Sequence, residues 1–127
     1  MVFVIGGAYQ GKLDHARANL AEPGAKVFIC DDRTLEIDWS CRVIDKIHLL
    51  IWARQQAGLD PLAYLSQHQS QLLEKIVICD DLSSGVVPID RETRLWREQV
   101  GRCSVLLARE ADRVVRIFCG LATDLKA

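Results

Sequence analysis

The sequence has no surplus of basic charge. Its 16 Lys and Arg are set against 17 Asp and Glu, a formal net charge of -1. Nothing in that balance would neutralise a nucleic-acid backbone, so no nucleic-acid partner is expected. No apolar run approaches the length that spans a bilayer, and no membrane partner is expected either. The apolar start carries no basic leader and reads as a strand, which argues against a signal peptide. The five cysteines form no C-x-x-C pair. They lie at strand ends or inside helical patterns, which reads as reduced, buried thiols in a cytoplasmic protein. His15, His48 and His68 are scattered, with no Cys or His partner at metal-ligand spacing, and no Ser-His-Asp arrangement stands out. No linker or low-complexity stretch divides the chain. What is there is 127 residues, 50% hydrophobic and 26% charged. That is the composition of one globular domain over residues 1–127, long enough to build a core.

Strand and helix patterns alternate along the chain. Met1 to Ile5 reads as a buried strand, and a helix follows from about Lys12 to Leu20, ended by Pro23-Gly24. Lys26 to Cys30 is a second strand, closed by Asp31-Asp32. The stretch from Arg33 to Val43 is ambiguous and holds at most a short strand near Arg42-Val43-Ile44. Ile44, Ile47, Leu50 and Ile51 have helical spacing, with the helix running to about Gln56. Asp60-Pro61 starts another helix, Asp as N-cap and Pro at the first helical position, sending Leu62, Leu65, Leu72 and Leu73 to the core. Lys75 to Cys79 is a strand closed by Asp80-Asp81. A loop from Leu82 to Ile89 leads to Asp90, which caps a long helix to about Glu110. Leu95, Trp96, Val100, Cys103 and Leu107 form that helix's apolar face. Arg113 to Cys119 reads as the last strand, stopped by Gly120. Apolar strands alternating with helices predict an α/β fold, a mostly parallel sheet with helices on both faces.

The most specific local signal is Gly6-Gly7-Ala8-Tyr9-Gln10-Gly11-Lys12-Leu13. It follows the apolar run Val2-Phe3-Val4-Ile5 and opens a helix. Gly-x-x-x-x-Gly-Lys in that setting is a phosphate-binding loop. Its glycines let backbone N–H groups approach an anion, the helix N-terminus faces it, and Lys12 neutralises the outer phosphates. These features predict a three-layer, P-loop NTPase-like fold with a nucleotide or phosphate-containing small molecule as ligand, ATP or GTP with Mg. The hydroxyl expected after the lysine is replaced by Leu13, which offers magnesium no oxygen. Tyr9 and Gln10 make the loop bulky; they either contact a ligand or fill the pocket.

In an open parallel sheet, ligands bind beyond the carboxyl ends of the strands. Asp31, Asp32, Asp80 and Asp81 are therefore expected on the loop's side, with Asp80, Asp45 and Asp31 the candidate magnesium ligands. Helix capping and turn chemistry, which Asp favours anyway, are the competing reading of such aspartates. Ser83-Ser84-Gly85 is an anion-binding turn or a plain one. Arg91, Arg94, Arg97 and Arg102 line one helix; they reach a phosphate or a neighbouring subunit, or form a solvated face paired with Glu92 and Glu98.

These residues resemble a known family. Gly6 to Lys12 is similar to the motif Gly-Gly-Ala-Arg-Ser-Gly-Lys-Ser. The strand Ile76 to Cys79, then Asp80-Asp81 and Gly85-Val86-Val87-Pro88, resemble a strand followed by Asn-Glu and Gly-Ile-Val-Pro. Arg91, Arg94, Trp96-Arg97, Gly101, Ala108, Ala111-Asp112, Val114, Gly120 and Lys126 follow in register. The family is the bifunctional adenosylcobinamide kinase and adenosylcobinamide-phosphate guanylyltransferase of cobalamin synthesis. The resemblance implies its P-loop fold and, by analogy, a homo-oligomer, a trimer, with a corrinoid as possible substrate. Asp45 resembles the acidic residue after the family's middle strand. The chain departs from the family in its shorter middle, where the guanylyl-accepting histidine belongs on an Arg-Ile-x-x-His helix. It departs again at Leu13 and at Ser104-Val105, where the family has Asn-Gln.

Three functions remain open on these residues. One is a divergent, shortened relative that binds a nucleotide through a degenerate loop with weak or lost catalysis, Lys12 being the catalytic residue if any activity remains. Another is an active nucleotide-dependent kinase, a phosphotransferase of corrinoid synthesis. A third is an oligomeric scaffold in which Leu95, Trp96 and the helix arginines face a partner.

Overall fold

The structure is a computed structural model that describes residues 1–82 and 90–127. The loop positions Ser83, Ser84, Gly85, Val86, Val87, Pro88 and Ile89 lie outside the described residues. Among the described residues, β1 (Val2–Gly6), β2 (Val27–Ile29), β3 (Val43–Asp45), β4 (Ile76–Asp80), β5 (Arg113–Phe118) and β6 (Leu121–Lys126) form one sheet. Their order is β2-β3-β4-β1-β5-β6. Every pairing from β2 across to β5 is parallel, and β6 runs antiparallel on β5. The expected α/β architecture, a mostly parallel sheet with helices on both faces, is the one observed.

Period-two alternation divides the strand residues between two apolar layers. Phe3, Ile44, Val77, Cys79 and Val114 point to one face. There they pack with residues of α2 (Ile47–Gln56), α3 (Pro61–Gln67), α4 (Gln69–Leu72) and α5 (Arg91–Glu110). Val4, Val43, Ile76, Ile78, Val115 and Ile117 point to the other. That face is covered by α1 (Lys12–His15), which widens into a π-helical segment, Ala16–Leu20, through Ala16 and Leu20. Strands buried on both sides need apolar residues at every position, hence the unbroken Val/Ile runs. Asp60 caps α3 by accepting from the Leu62 and Ala63 N–H groups at 3.0 and 3.3 Å, with Pro61 behind it. Asp90 caps α5 through the Thr93 N–H at 3.2 Å.

Several expectations need correction. The helix from Pro61 breaks at His68, whose Nδ1 lies 2.7 Å from the Tyr64 carbonyl, and Leu73 beyond it is 63% exposed. Leu95 is exposed rather than part of the apolar face of α5. Arg113 to Cys119 is not the last strand. Cys119 (φ 52°) and Gly120 (φ 75°) form a two-residue turn, and β6 returns antiparallel along β5. Paired left-handed residues are what a tight hairpin requires. Four of the five free cysteines are buried, whereas Cys119 at that turn is exposed. Burial raises the Cys30 and Cys103 thiols to about 12, so they stay protonated.

Candidate functional site

β1 ends in the middle of the sheet, between β4 and β5, and delivers the loop to the carboxyl edge. A β-carbon on Gly6 would stand 2.4 Å from the Ile117 carbonyl oxygen, so the neighbouring strand requires glycine there. Tyr9 (φ 59°) and Gly11 (φ 88°) are both left-handed and turn the chain into α1. The bulky loop residues do not fill the cavity. Tyr9 is fully exposed. Gln10 is tied outward to the hairpin turn, its Oε1 accepting the Cys119 N–H at 2.5 Å and its carbonyl accepting the Gly120 N–H at 3.1 Å.

Lys12 is buried at 8% exposure, and its ammonium is shared. Nζ donates to the Gly7 carbonyl at 2.6 Å and pairs with Asp80 Oδ1, at the end of β4, at 2.8 Å. A lysine that folds back onto its own loop and one carboxylate closes the ring an anion would otherwise complete. Leu13, at the position of the missing hydroxyl, packs its side chain against the apolar layer under α1. It contributes to the core instead of to metal binding.

Asp80 has a second partner that sequence spacing does not reveal. The ring of His48, in the first turn of α2, reaches across to β4. Its Nδ1 accepts the Asp80 backbone N–H at 3.1 Å, and its Nε2 lies 3.4 Å from Asp80 Oδ2. The ring is buried. Burial holds its pKa below the ordinary 6.5; Asp80 opposes that shift, and the charges of Lys12 and Lys46 reinforce it. Asp45, at the end of β3, is also buried, its Oδ1 accepting the Lys46 N–H at 2.9 Å. Burial raises its pKa, against the pull of Lys46 and Lys12 and with the push of Asp80. Lys46 itself sits at φ 57°. Left-handed backbone at a residue with a β-carbon costs on the order of 1 kcal/mol, and such strain gathers at ligand sites.

These groups surround one cavity of about 390 Å³. Its walls are the loop from Ala8 to Asp14, the strand ends at Ile29, Asp45 and Asp80, and Lys46, His48 and Leu49 of the turn into α2. The structure thus brings Lys12, Leu13, Asp45 and Asp80 together. Asp31 is not with them. Its Oδ1 accepts from the Arg33 N–H at 2.8 Å and the Thr34 hydroxyl at 3.0 Å, a turn that lowers its pKa. Among the described residues, no three His, Cys, Asp or Glu side chains converge closely enough to hold a metal ion. His48 has an acidic partner, Asp80, which a search for Cys or His at metal-ligand spacing does not find. The signal was a polar ring on the buried face of a helix, which demands a partner. On α5, Arg102 pairs with Glu98 as a solvated face would. Arg97 lines a second cavity, of about 330 Å³, with Asp81, Ser104 and Arg116.

The cavity presents the backbone of the loop from Ala8 to Gly11 and the Lys12 ammonium. For magnesium Leu13 supplies no oxygen, and the carboxylates that line the cavity, Asp14, Asp45 and Asp80, do not converge as a metal cluster. Among the described residues, no helix is long and apolar enough to cross a membrane. Comparison with characterised proteins returned no match. The family model of cobinamide kinase / cobinamide phosphate guanyltransferase matches residues 49–125. The match takes in β4, α5 and the β5–β6 hairpin, while the loop and Asp45 precede it. With more than half of its length matched, on a P-loop α/β fold, the chain belongs to the cobinamide kinase / cobinamide phosphate guanyltransferase family.

Proposed function

We propose that this chain binds the phosphates of a nucleotide at the Gly6–Lys12 loop and is weakened or silent as a catalyst. The observation that carries the reading is the state of Lys12. It is buried at the mouth of a cavity built by the loop and held by one carbonyl and one carboxylate that an anion can replace. Gly6 and Gly7 lead the chain into the loop, Ala8, Tyr9, Gln10 and Gly11 line the cavity, and two strained residues, Tyr9 and Lys46, border the same space. Family membership supports a nucleotide as the phosphate carrier, ATP or GTP, and a corrinoid as the second ligand.

Two features support loss of guanylyl transfer. The connection from β2 to β3 contains turns at Asp31 and Asp38 and no helix, and it carries no histidine. His48, the histidine that lines the cavity, has Nδ1 occupied by the Asp80 N–H and Nε2 beside the Asp80 carboxylate at 3.4 Å. Phosphoryl transfer rests on positioning and metal electrostatics, and Leu13 removes one metal ligand. A second reading, a working kinase, is favoured by Asp80 and Asp45 bordering the same cavity, two carboxylates on which a magnesium ion with phosphates can be held.

The test is thermal unfolding of the wild-type chain and Lys12→Ala with ATP or GTP, each with and without magnesium. A ligand that binds the folded state raises the melting temperature. A rise in the wild type that vanishes in the variant is expected. Equal rises in both remove Lys12 from the site. Magnesium-dependent turnover above that of Lys12→Ala decides for the kinase reading.

A further inference from the structure

His48 lines the cavity with its ring tied to Asp80, a geometry more specific than packing requires. Nδ1 accepts the Asp80 N–H at 3.1 Å, and a nitrogen that accepts carries no proton. In the neutral ring the proton therefore sits on Nε2, which lies 3.4 Å from Asp80 Oδ2. Nδ1 holds the Asp80 peptide by a hydrogen bond, and Nε2 stands beside the carboxylate at a distance longer than an ordinary hydrogen bond. Oδ1, the oxygen turned away from the ring, takes Lys12 at 2.8 Å. The ring is held from behind as well. The Trp96 Nε1–H donates to the His48 carbonyl at 2.7 Å, the indole packs 6.2 Å from the imidazole, and Trp52 meets Trp96 edge-on at 5.4 Å. A contact line thus runs from α5 through α2 and β4 to the loop.

We propose that His48 is a positioning residue of the phosphate site: it holds Asp80 in place, so that Lys12 can leave that carboxylate for a phosphate without the carboxylate following. This rests on the reading of the loop as a phosphate site. With an anion bound, Asp80 remains anchored by the ring while its Oδ1 is vacated. Without the ring, the carboxylate is free to turn after the lysine and compete with the anion. His48 acts through Asp80, so its effect must disappear when Asp80 has no charge to compete with.

The experiment measures binding of inorganic triphosphate, without metal, by calorimetry to four full-length chains: wild type, His48→Ala, Asp80→Asn and the double variant. Nitrogen-detected spectra of the imidazole in the ligand-free wild type accompany it. We expect affinity about fivefold weaker in His48→Ala, the size of one net hydrogen bond, and less than about twofold different between Asp80→Asn and the double variant. His48→Gln, whose amide can donate to Oδ2, should recover part of the loss. The ring should show the Nε2–H tautomer. Equal losses in both backgrounds would mean a merely structural histidine and overturn the proposal, as would the Nδ1–H tautomer. No triphosphate binding by the wild type, with the Nε2–H tautomer intact, overturns the phosphate reading itself and this role with it.

Discussion

Replacing Asp80 by asparagine should tighten metal-free phosphate binding, although it removes half of an ion pair. The pair is short, 2.8 Å, with Lys12 8% and Asp80 21% exposed. At an effective dielectric constant of about 20, its bare Coulomb attraction is about 6 kcal/mol. Desolvation of both charges and the solvent reaching Asp80 offset most of that, leaving the net worth of a charged hydrogen bond, about 1.5–3 kcal/mol. An incoming phosphate has to overcome this amount before it gains Lys12. The side-chain amide in Asp80→Asn keeps a weak contact with the lysine and carries no charge, so metal-free affinity for ATP should rise about tenfold to hundredfold, at about 1.4 kcal/mol per tenfold. Any gain on adding magnesium should shrink, because a candidate ligand is gone. The free chain should be somewhat less stable, since Lys12 keeps the Gly7 carbonyl but loses its charged partner. Calorimetric titration with ATP, with chelator and then with magnesium, measures the affinity and its metal dependence. Weaker metal-free binding by Asp80→Asn would refute the view of Asp80 as the internal competitor for Lys12.

Leu13→Ser should lose about 1–2 kcal/mol of stability, because it withdraws a partly buried side chain from the layer under α1; it should also strengthen the magnesium dependence of nucleotide binding, as read by melting temperature. Gly6→Ala drives a β-carbon to 2.4 Å from the Ile117 carbonyl oxygen in the middle of the sheet; denaturant unfolding should show a loss of about 3 kcal/mol or more, and a loss under about 0.5 kcal/mol would contradict the tight strand approach. In metal-free buffer the lowered pKa of His48 means that the unfolded chain takes up its proton first. The stability that comes from the neutral ring is complete above the unfolded value of 6.5 and is lost as pH falls through the lower folded value. The stability advantage of wild type over His48→Gln should therefore narrow from about pH 7.5 to about pH 5, and a constant gap would refute the burial argument.

The parts of the fold that were legible in the sequence are those set by local chemistry. Val2 to Ile5 and Ile76 to Cys79 are apolar at every position because both faces of their strands are covered, and Asp60-Pro61 and Asp90 announce helices by capping. β6 was not legible. Leu121, Thr123 and Asp124 are exposed like the rest of the strand, so no buried face imposes a pattern on it. Its one local sign was Gly120 after Cys119, which reads equally well as a stop and as a hairpin turn. His48 escaped for a different reason. Its partner is 32 residues away on another strand, and no spacing rule spans that distance.

The candidate site was legible to the extent that topology decides it. A parallel sheet sends every strand's carboxyl end to one edge, so Asp31, Asp45 and Asp80 all qualified from sequence. What separates them is lateral order, which is not local information. β4 lies next to β1, β3 one strand further and β2 one further still. With strands about 4.8 Å apart, Asp80 stands about 5 Å from the axis of the loop strand, Asp45 about 10 Å and Asp31 about 14 Å. Asp80 is therefore within direct reach of Lys12, and the ion pair is observed. Asp45 lines the same cavity from one strand further out. Asp31 is further still, and its carboxylate serves its own turn instead. The same order brings His48 to Asp80: the turn after β3 starts the helix that packs over β4, so a ring from α2 reaches the acid that pairs with the loop lysine.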